Sequence, residues 1–136
     1  MDGVILTPLK KIYHEKGNIF HAMKKTDIGF KGFGEAYFST INQNEIKSWK
    51  KHKKMTLNLI VPIGKIKFVI YDEILKEFFS VELSLDNYQR LTIKPNLWTA
   101  FCGIDKQNVL LNLADIEHNP SESISIDLDK IKFDWR

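Results

Sequence analysis

The sequence has 136 residues, 43% of them hydrophobic and 27% charged, which suits one domain with one core and excludes a disordered or fibrous design. Lys and Arg number 20 against 17 Asp and Glu, a net charge of +3, a mild excess that favours anionic ligands without demanding nucleic acid. Only Arg90 and Arg136 are arginines, so the planar fork that reads phosphates and bases is scarce.

The opening stretch MDGVILTPLKKIYHEKG lacks the basic, apolar and small-residue order of a signal peptide, and no apolar run reaches the roughly 20 residues of a membrane helix. A single domain over 1–136, cytoplasmic and without a membrane partner, is expected. Further along, Phe33, Glu35, Tyr37 and Ser39 alternate with Gly34, Ala36 and Phe38, and this period of two puts a polar, ligand-capable row on one face of a strand. Residues 57–61 lead through Pro62-Ile63-Gly64 into 65–71, the pattern of a hairpin. Residues 78–85 and 91–94 are further β-rich runs, and Pro95-Asn96 turns the chain into 97–101. Runs at 109–113, 124–128 and 131–135 complete the series. Helical periodicity is weak and confined to 44–50 and 72–78. Many short strands divided by Gly, Pro, Asn and Asp predict an all-β sandwich or barrel.

Four histidines are present, His14, His21, His52 and His118. None lies in an HxH pair or precedes a glutamate at the spacing of a facial metal site, so no metal is expected. Cys102 is the only cysteine, which excludes an intrachain disulfide and a multi-cysteine zinc site. Between Phe101 and Gly103 it reads as a buried, inert thiol. The run Trp49-Lys50-Lys51-His52-Lys53-Lys54 has three readings: a solvated basic turn before a strand, a neutral imidazole base beside an anion site, or a nucleic-acid patch. Stacking platforms use several exposed aromatics and only Trp49 accompanies these lysines, so no nucleic-acid partner is expected.

In their order along the chain these segments resemble the dTDP-4-dehydrorhamnose 3,5-epimerase family. Phe33-Gly34-Glu35-Ala36-Tyr37-Phe38-Ser39 resembles its F-x-Q-x-N-x-S strand, and Trp49-Lys50-Lys51-His52 stands where the family has R-G-L-H. Residues 57–69 resemble the next hairpin, and Trp98-Thr99-Ala100-Phe101-Cys102-Gly103 resembles F-A-H-G-F. Residues 115–120 with Glu122 resemble T-D-Y-Y-x-P-x-x-E, and residues 127–135 resemble the D-P-x-I-x-I-x-W close of the core. Near the N-terminus, Lys16-Gly17-Asn18-Ile19-Phe20-His21 stands at the family's R-G-x-F-x-E.

The resemblance implies a cupin jelly roll, a double-stranded β-helix barrel, in a homodimer. It implies a nucleotide-diphosphate 4-keto sugar bound in the barrel mouth and epimerised or isomerised without a cofactor, in surface-polysaccharide biosynthesis. His52 is then the base. The family's acid tyrosine falls near Leu111 or Asn112, neither of them a phenol; Tyr71 is the candidate to return a proton if it points into the barrel, and solvent is the other source. Substrate contacts are expected from Lys16, Glu35, Tyr37, Ser39, Trp49, Lys50, Asn58, Lys67, Trp98, Asn112 and His118. The family's orienting carboxylate follows its last core strand, whereas this sequence stops at Arg136, so Glu35 and Asp115 are the candidates for that role. The alternative is a non-catalytic cupin that binds a sugar nucleotide or an oligosaccharide.

Overall fold

The computed structural model describes residues 1–136. In chain order its strands are β1 (Val4–Pro8), β2 (Lys11–Ile12), β3 (Ile19–Phe20), β4 (Glu35–Thr40), β5 (Ile46–His52), β6 (Leu57–Ile63), β7 (Ile66–Asp72), β8 (Glu77–Leu83), β9 (Gln89–Ile93), β10 (Trp98–Gly103), β11 (Val109–Ala114) and β12 (Ser123–Ser125). Helix is limited to two single 3₁₀ turns, Pro120–Glu122 and Leu128–Lys130. The two segments with weak helical periodicity are otherwise: the first falls largely in β5 and the second is a turn bounded by β7 and β8. Asp72 makes that turn by accepting from the amides of Ile74 and Leu75 through one carboxylate oxygen.

Two five-stranded antiparallel sheets form the jelly roll, β1-β9-β6-β11-β4 and β12-β5-β10-β7-β8, with β2 and β3 as a separate ribbon. The expected hairpin over 57–71 is corrected here. β6 pairs with β9 and β11 in the first sheet, whereas β7 pairs with β10 and β8 in the second. The turn signal is real, but it carries the chain from one sheet to the other. Gly64 sits at φ +83 with Asn108 packed against it, and the Asn108 carboxamide accepts from Lys65 N at 2.9 Å. No β-branched or bulky residue fits such a left-handed position without strain.

The main core lies between the sheets, where Leu57, Leu59 and Val61 of β6 meet Ile66, Phe68 and Ile70 of β7. The alternate residues of β7 and β10 face outward and are not left in water. Val69, Trp98 and Ala100 form a second apolar cluster with Trp49, covered by Ile126, Leu128, Ile131, Phe133 and Trp135 from the C-terminal segment. That segment holds no strand over 131–135, contrary to the periodicity; it is an irregular strap.

On the outer face of the first sheet, residues 21–30 are held by Arg90, whose side chain is fully buried. Its guanidinium donates to Ala22 O and Ile28 O, each at 2.8 Å, and to Asp27 Oδ2 at 3.3 Å. Asn58 works beside it, donating to Gly29 O and accepting from the Thr92 hydroxyl. A Cβ at Gly29 (φ +93) would approach Thr92 Oγ1 to 2.6 Å, so this contact needs glycine.

Replacing Arg90 by Ala leaves the Ala22 and Ile28 carbonyls and the Asp27 carboxylate without their donor. The expected cost is about 2–4 kcal/mol of unfolding free energy, read as a lower urea midpoint at unchanged slope.

Candidate functional site

Between the two sheets, toward one mouth of the barrel, lies a cavity of about 280 Å3. Its walls come from β4 (Tyr37, Ser39), β5 (Lys47, Ser48, Lys50, His52), β6 (Leu57, Leu59), β10 (Thr99, Phe101) and β11 (Leu110, Asn112). No carboxylate is among them. The alternation of β5 sends Ser48, Lys50 and His52 inward and Trp49 and Lys51 outward. Pairing between β10 and β5 shifts register between Thr99 and Phe101, and the irregularity lets Lys47 join Ser48 on the inner side.

His52 is the polar centre of this wall. Its Nδ1 pairs with Oε1 of Glu122, a residue only 4% exposed. The other carboxylate oxygen accepts from the amides of Lys54 at 3.1 Å and Met55 at 3.3 Å. Burial works to raise the Glu122 carboxyl, but the hydrogen bonds from His52, Lys54 and Met55 outweigh it and bring the carboxyl below the usual glutamate range. A carboxylate on Nδ1 keeps the proton there and leaves Nε2 as the nitrogen with a free lone pair.

Across the cavity, Tyr37 Oη accepts from Asn112 Nδ2 at 3.0 Å, while Asn112 Oδ1 accepts from Asn58 N at 3.1 Å. This fixes the orientation of the amide and aims the phenol. Lys47 donates to Ser39 Oγ at 3.0 Å and to Thr40 O at 2.7 Å, tying β5 to β4. Lys50 makes no hydrogen bond or ion pair, so its ammonium is free for a ligand.

The structure therefore brings His52, Tyr37, Ser39, Lys50 and Asn112 together. Glu35 is on the same face of β4 as Tyr37 but lies beyond the lining, opposite Ala114. Strand parity removes several other candidates. Trp49 is fully buried in the outer cluster, donating its indole N–H to Leu128 O and Ile131 O, and cannot meet a ligand. Trp98 is in the same cluster, donating to Glu73 with the Lys51 ammonium over its ring. Tyr71 also faces outward and stacks on Phe78, so it is separated from His52 by the sheet itself. Lys67 faces the same way, over the Phe133 ring. Asn58 serves the outer face of the first sheet, while Lys16 and His118 lie in exposed loops.

Of the four lysines around His52, one shares its cavity; Lys51 is paired with Glu73 and Lys53 and Lys54 are exposed. The carboxylate on His52 is Glu122, neither Glu35 nor Asp115, and Asp115 instead accepts from Thr56 N. Glu122, Lys47, Ser48 and Thr99 were not singled out by the sequence as site residues. Glu122 had one local signal, the Asn119-Pro120 pair that starts its 3₁₀ turn, with Asn119 capping Ser121 N. Cys102 is half-buried rather than buried as expected, and the burial it has pushes its thiol up.

A family model described as FdtA, WxcM-like, C-terminal, matches residues 2–132. A dTDP sugar isomerase from Desulfovibrio desulfuricans G20 is 34% identical, with 98% of this chain and 91% of that chain covered at a TM-score of 0.93. The 3,4-ketoisomerase QdtA of Thermoanaerobacterium thermosaccharolyticum, solved as a histidine-to-asparagine variant with TDP-4-keto-6-deoxyglucose, is 26% identical over 91% of this chain and 88% of that chain, TM-score 0.80. The dTDP-6-deoxy-D-glucose-3,5-epimerase of Legionella pneumophila Philadelphia 1, at 16% identity, covers 99% of this chain and 79% of that chain with a TM-score of 0.85, and shares the fold. A search of curated proteins finds no match. The resemblance to the epimerase group and the cupin jelly roll are thus both borne out.

Since the Glu122 carboxyl is lowered on folding, its contribution to stability is complete above about pH 4.3, the ordinary glutamate value, and is lost as pH falls through the lower folded value. A Glu122→Gln variant lacks that term. Thermal midpoints of the two proteins, well separated at neutral pH, are expected to converge below about pH 4.

Proposed function

Because the chain belongs to the WxcM-like, C-terminal family, we propose that it isomerises a nucleotide-diphosphate 4-keto-6-deoxy sugar, with His52 as the base. The observation that carries this reading is the His52–Glu122 pair facing a carboxylate-free cavity that also holds Lys50 and Lys47. The similar structures supply the substrate class: one is of a dTDP sugar isomerase and another holds TDP-4-keto-6-deoxyglucose. A cavity of about 280 Å3 suits the sugar ring, with the nucleotide lying along the mouth.

The hydrogen on the carbon beside a ketone is acidic because the electron pair left behind moves into the carbonyl. His52 Nε2 takes that proton from C3, the pair forms C3=C4, and O4 becomes an oxyanion that Lys50 stabilises. Return of the proton from His52 to C4, with passage of the O3 proton to O4 and formation of C3=O, gives the 3-keto isomer. Return to the opposite side of C3 gives the epimer. Ketoisomerisation asks for one base that moves a proton between neighbouring carbons, whereas epimerisation asks for an acid on the far side. Tyr37 stands across the cavity from His52 and leaves epimerisation possible, but the relatives at 34% and 26% identity are a dTDP sugar isomerase and a 3,4-ketoisomerase. The balance favours ketoisomerisation. The product would serve surface-polysaccharide synthesis.

Solvent-deuterium incorporation into dTDP-4-keto-6-deoxyglucose tests the reading, because exchange reports proton abstraction even without net turnover. His52→Asn is expected to lower the rate by about 100- to 10,000-fold, and Lys50→Ala by about 100-fold. A His52→Asn variant that exchanges at the wild-type rate sinks the assignment of the base. Tight binding without any exchange in the wild type favours a non-catalytic sugar-nucleotide binder.

A homodimer is part of the same proposal. β4 is an edge strand of the first sheet, with Phe38 72% and nearby Phe33 68% exposed, and an unpaired apolar edge is a place for a second copy. Sedimentation at micromolar concentration is expected to give a dimer, and Phe38→Lys a monomer.

A further inference from the structure

The base and a buried indole sit three residues apart on β5, on opposite faces, and the same piece of chain touches both. Glu122 begins the run: its carbonyl accepts from Lys53 N at 2.7 Å, and Ser123 then pairs with His52 as β12 lies along β5. A three-residue edge strand is weakly held by its ladder alone. What fixes it lies further on. Ile126 N donates to Trp49 O at 3.0 Å, Ser48 Oγ donates to Ile126 O at 2.6 Å, and the indole N–H of Trp49 is shared between Leu128 O and Ile131 O, each at 3.2 Å. Trp135 closes the far end, its ring 6.2 Å from that of Trp49. Trp49 is fully buried and contributes nothing to the cavity.

From this geometry we infer that Trp49 is a positioning residue for His52: its indole latches the C-terminal strap, and the strap holds Glu122 on the imidazole. The latch is polar as well as apolar. Two carbonyls converge on one N–H inside an apolar cluster, an arrangement that a ring without a donor cannot satisfy. The strap's apolar residues would still cover the sheet without that N–H, but the last directional contact along the strap would then be at Ile126, and everything beyond it would be free to slide on β5 and pull on β12. A shift of the strap moves Glu122 relative to Nδ1 and lets the imidazole change tautomer or rotate.

This inference rests on the reading of His52 as the base, and the test separates the two. Trp49→Phe keeps the ring and removes the donor. Proton–nitrogen correlation NMR of the imidazole is expected to show the Nδ1–H tautomer alone in the wild type and a mixture in Trp49→Phe, as in Glu122→Gln. Deuterium exchange into the 4-keto sugar nucleotide should fall about 10- to 100-fold with KM unchanged, since the cavity lining is intact. A Trp49→Phe variant with the wild-type tautomer, or with wild-type exchange in an active protein, overturns the positioning role and leaves the base assignment standing. A wild type that exchanges no substrate overturns the base assignment, while the tautomer measurement still decides the latch. Should Trp49→Phe fail to fold, Trp135→Leu loosens the same latch from its far side and is judged by the same two outcomes.

Discussion

A buried carboxylate is costly unless every oxygen is engaged, and Glu122 is where this structure meets that constraint. Its side chain is 3% exposed, and its partners are the His52 imidazole and the Lys54 and Met55 amides. Those amides belong to the turn that follows β5, so the carboxylate organises the segment that carries His52 as well as the imidazole itself. Protonating or removing it would leave amides and an imidazole facing apolar surroundings, where an unmade hydrogen bond costs far more than a made one contributes. The dependence runs both ways: the 3₁₀ turn that delivers Glu122 has its place only because β12 and the strap lie against β5.

Jelly-roll topology makes that economy possible. From β4 to β12 the strands alternate between the sheets except at the β7–β8 hairpin, so β5 and β10 line the cavity from one sheet and β4, β6 and β11 from the other. The sheet carrying β5 is covered on both faces, by the main core within and by the strap without. Its inward and outward side chains can thus be specialised independently. Lys50 and His52 are polar because their face opens on the cavity, and Trp49 is apolar because its face does not.

Much of the fold was legible and less of the site was. Period-two alternation located most strands, and turn residues placed their ends, because both signals are local. Pairing is not local: the 57–71 segment carries a sound turn signal, yet Gly64 joins two sheets, and only the packing of Asn108 against the turn decides that. The row Tyr37 and Ser39 faced the cavity as its parity implied, and His52 with Lys50 did too. Trp49, Tyr71 and Trp98 went the other way. An aromatic on a strand looks the same to sequence reasoning whether it faces a cavity or an outer layer, and here a C-terminal segment with no strand of its own supplied the outer layer. Glu122 was the hardest to anticipate, since it lies 70 residues from His52 and meets it through an edge pairing of three residues.

The charge distribution inside the cavity follows from the same partition. The acidic groups near β5 are outside the lining: Glu73 engages Lys51 and Trp98 on the outer face, where those hydrogen bonds hold its carboxyl below the usual range. Glu122 is behind His52 with both oxygens occupied, so its charge reaches the cavity only through the imidazole. Lys47 is tied across the sheet junction to Ser39 and Thr40. What remains toward a ligand is an imidazole nitrogen, a free ammonium on Lys50, and neutral hydrogen-bonding groups from Tyr37, Asn112 and Ser48 over an apolar floor of Leu57, Leu59 and Leu110. Such a field is weakly positive and partly desolvated, which penalises a ligand that brings its own cation and favours one that develops negative charge after it has bound. Under the proposed reaction a neutral ketone that becomes an enolate meets that condition, because its charge would appear beside Lys50 only once the proton had moved to His52.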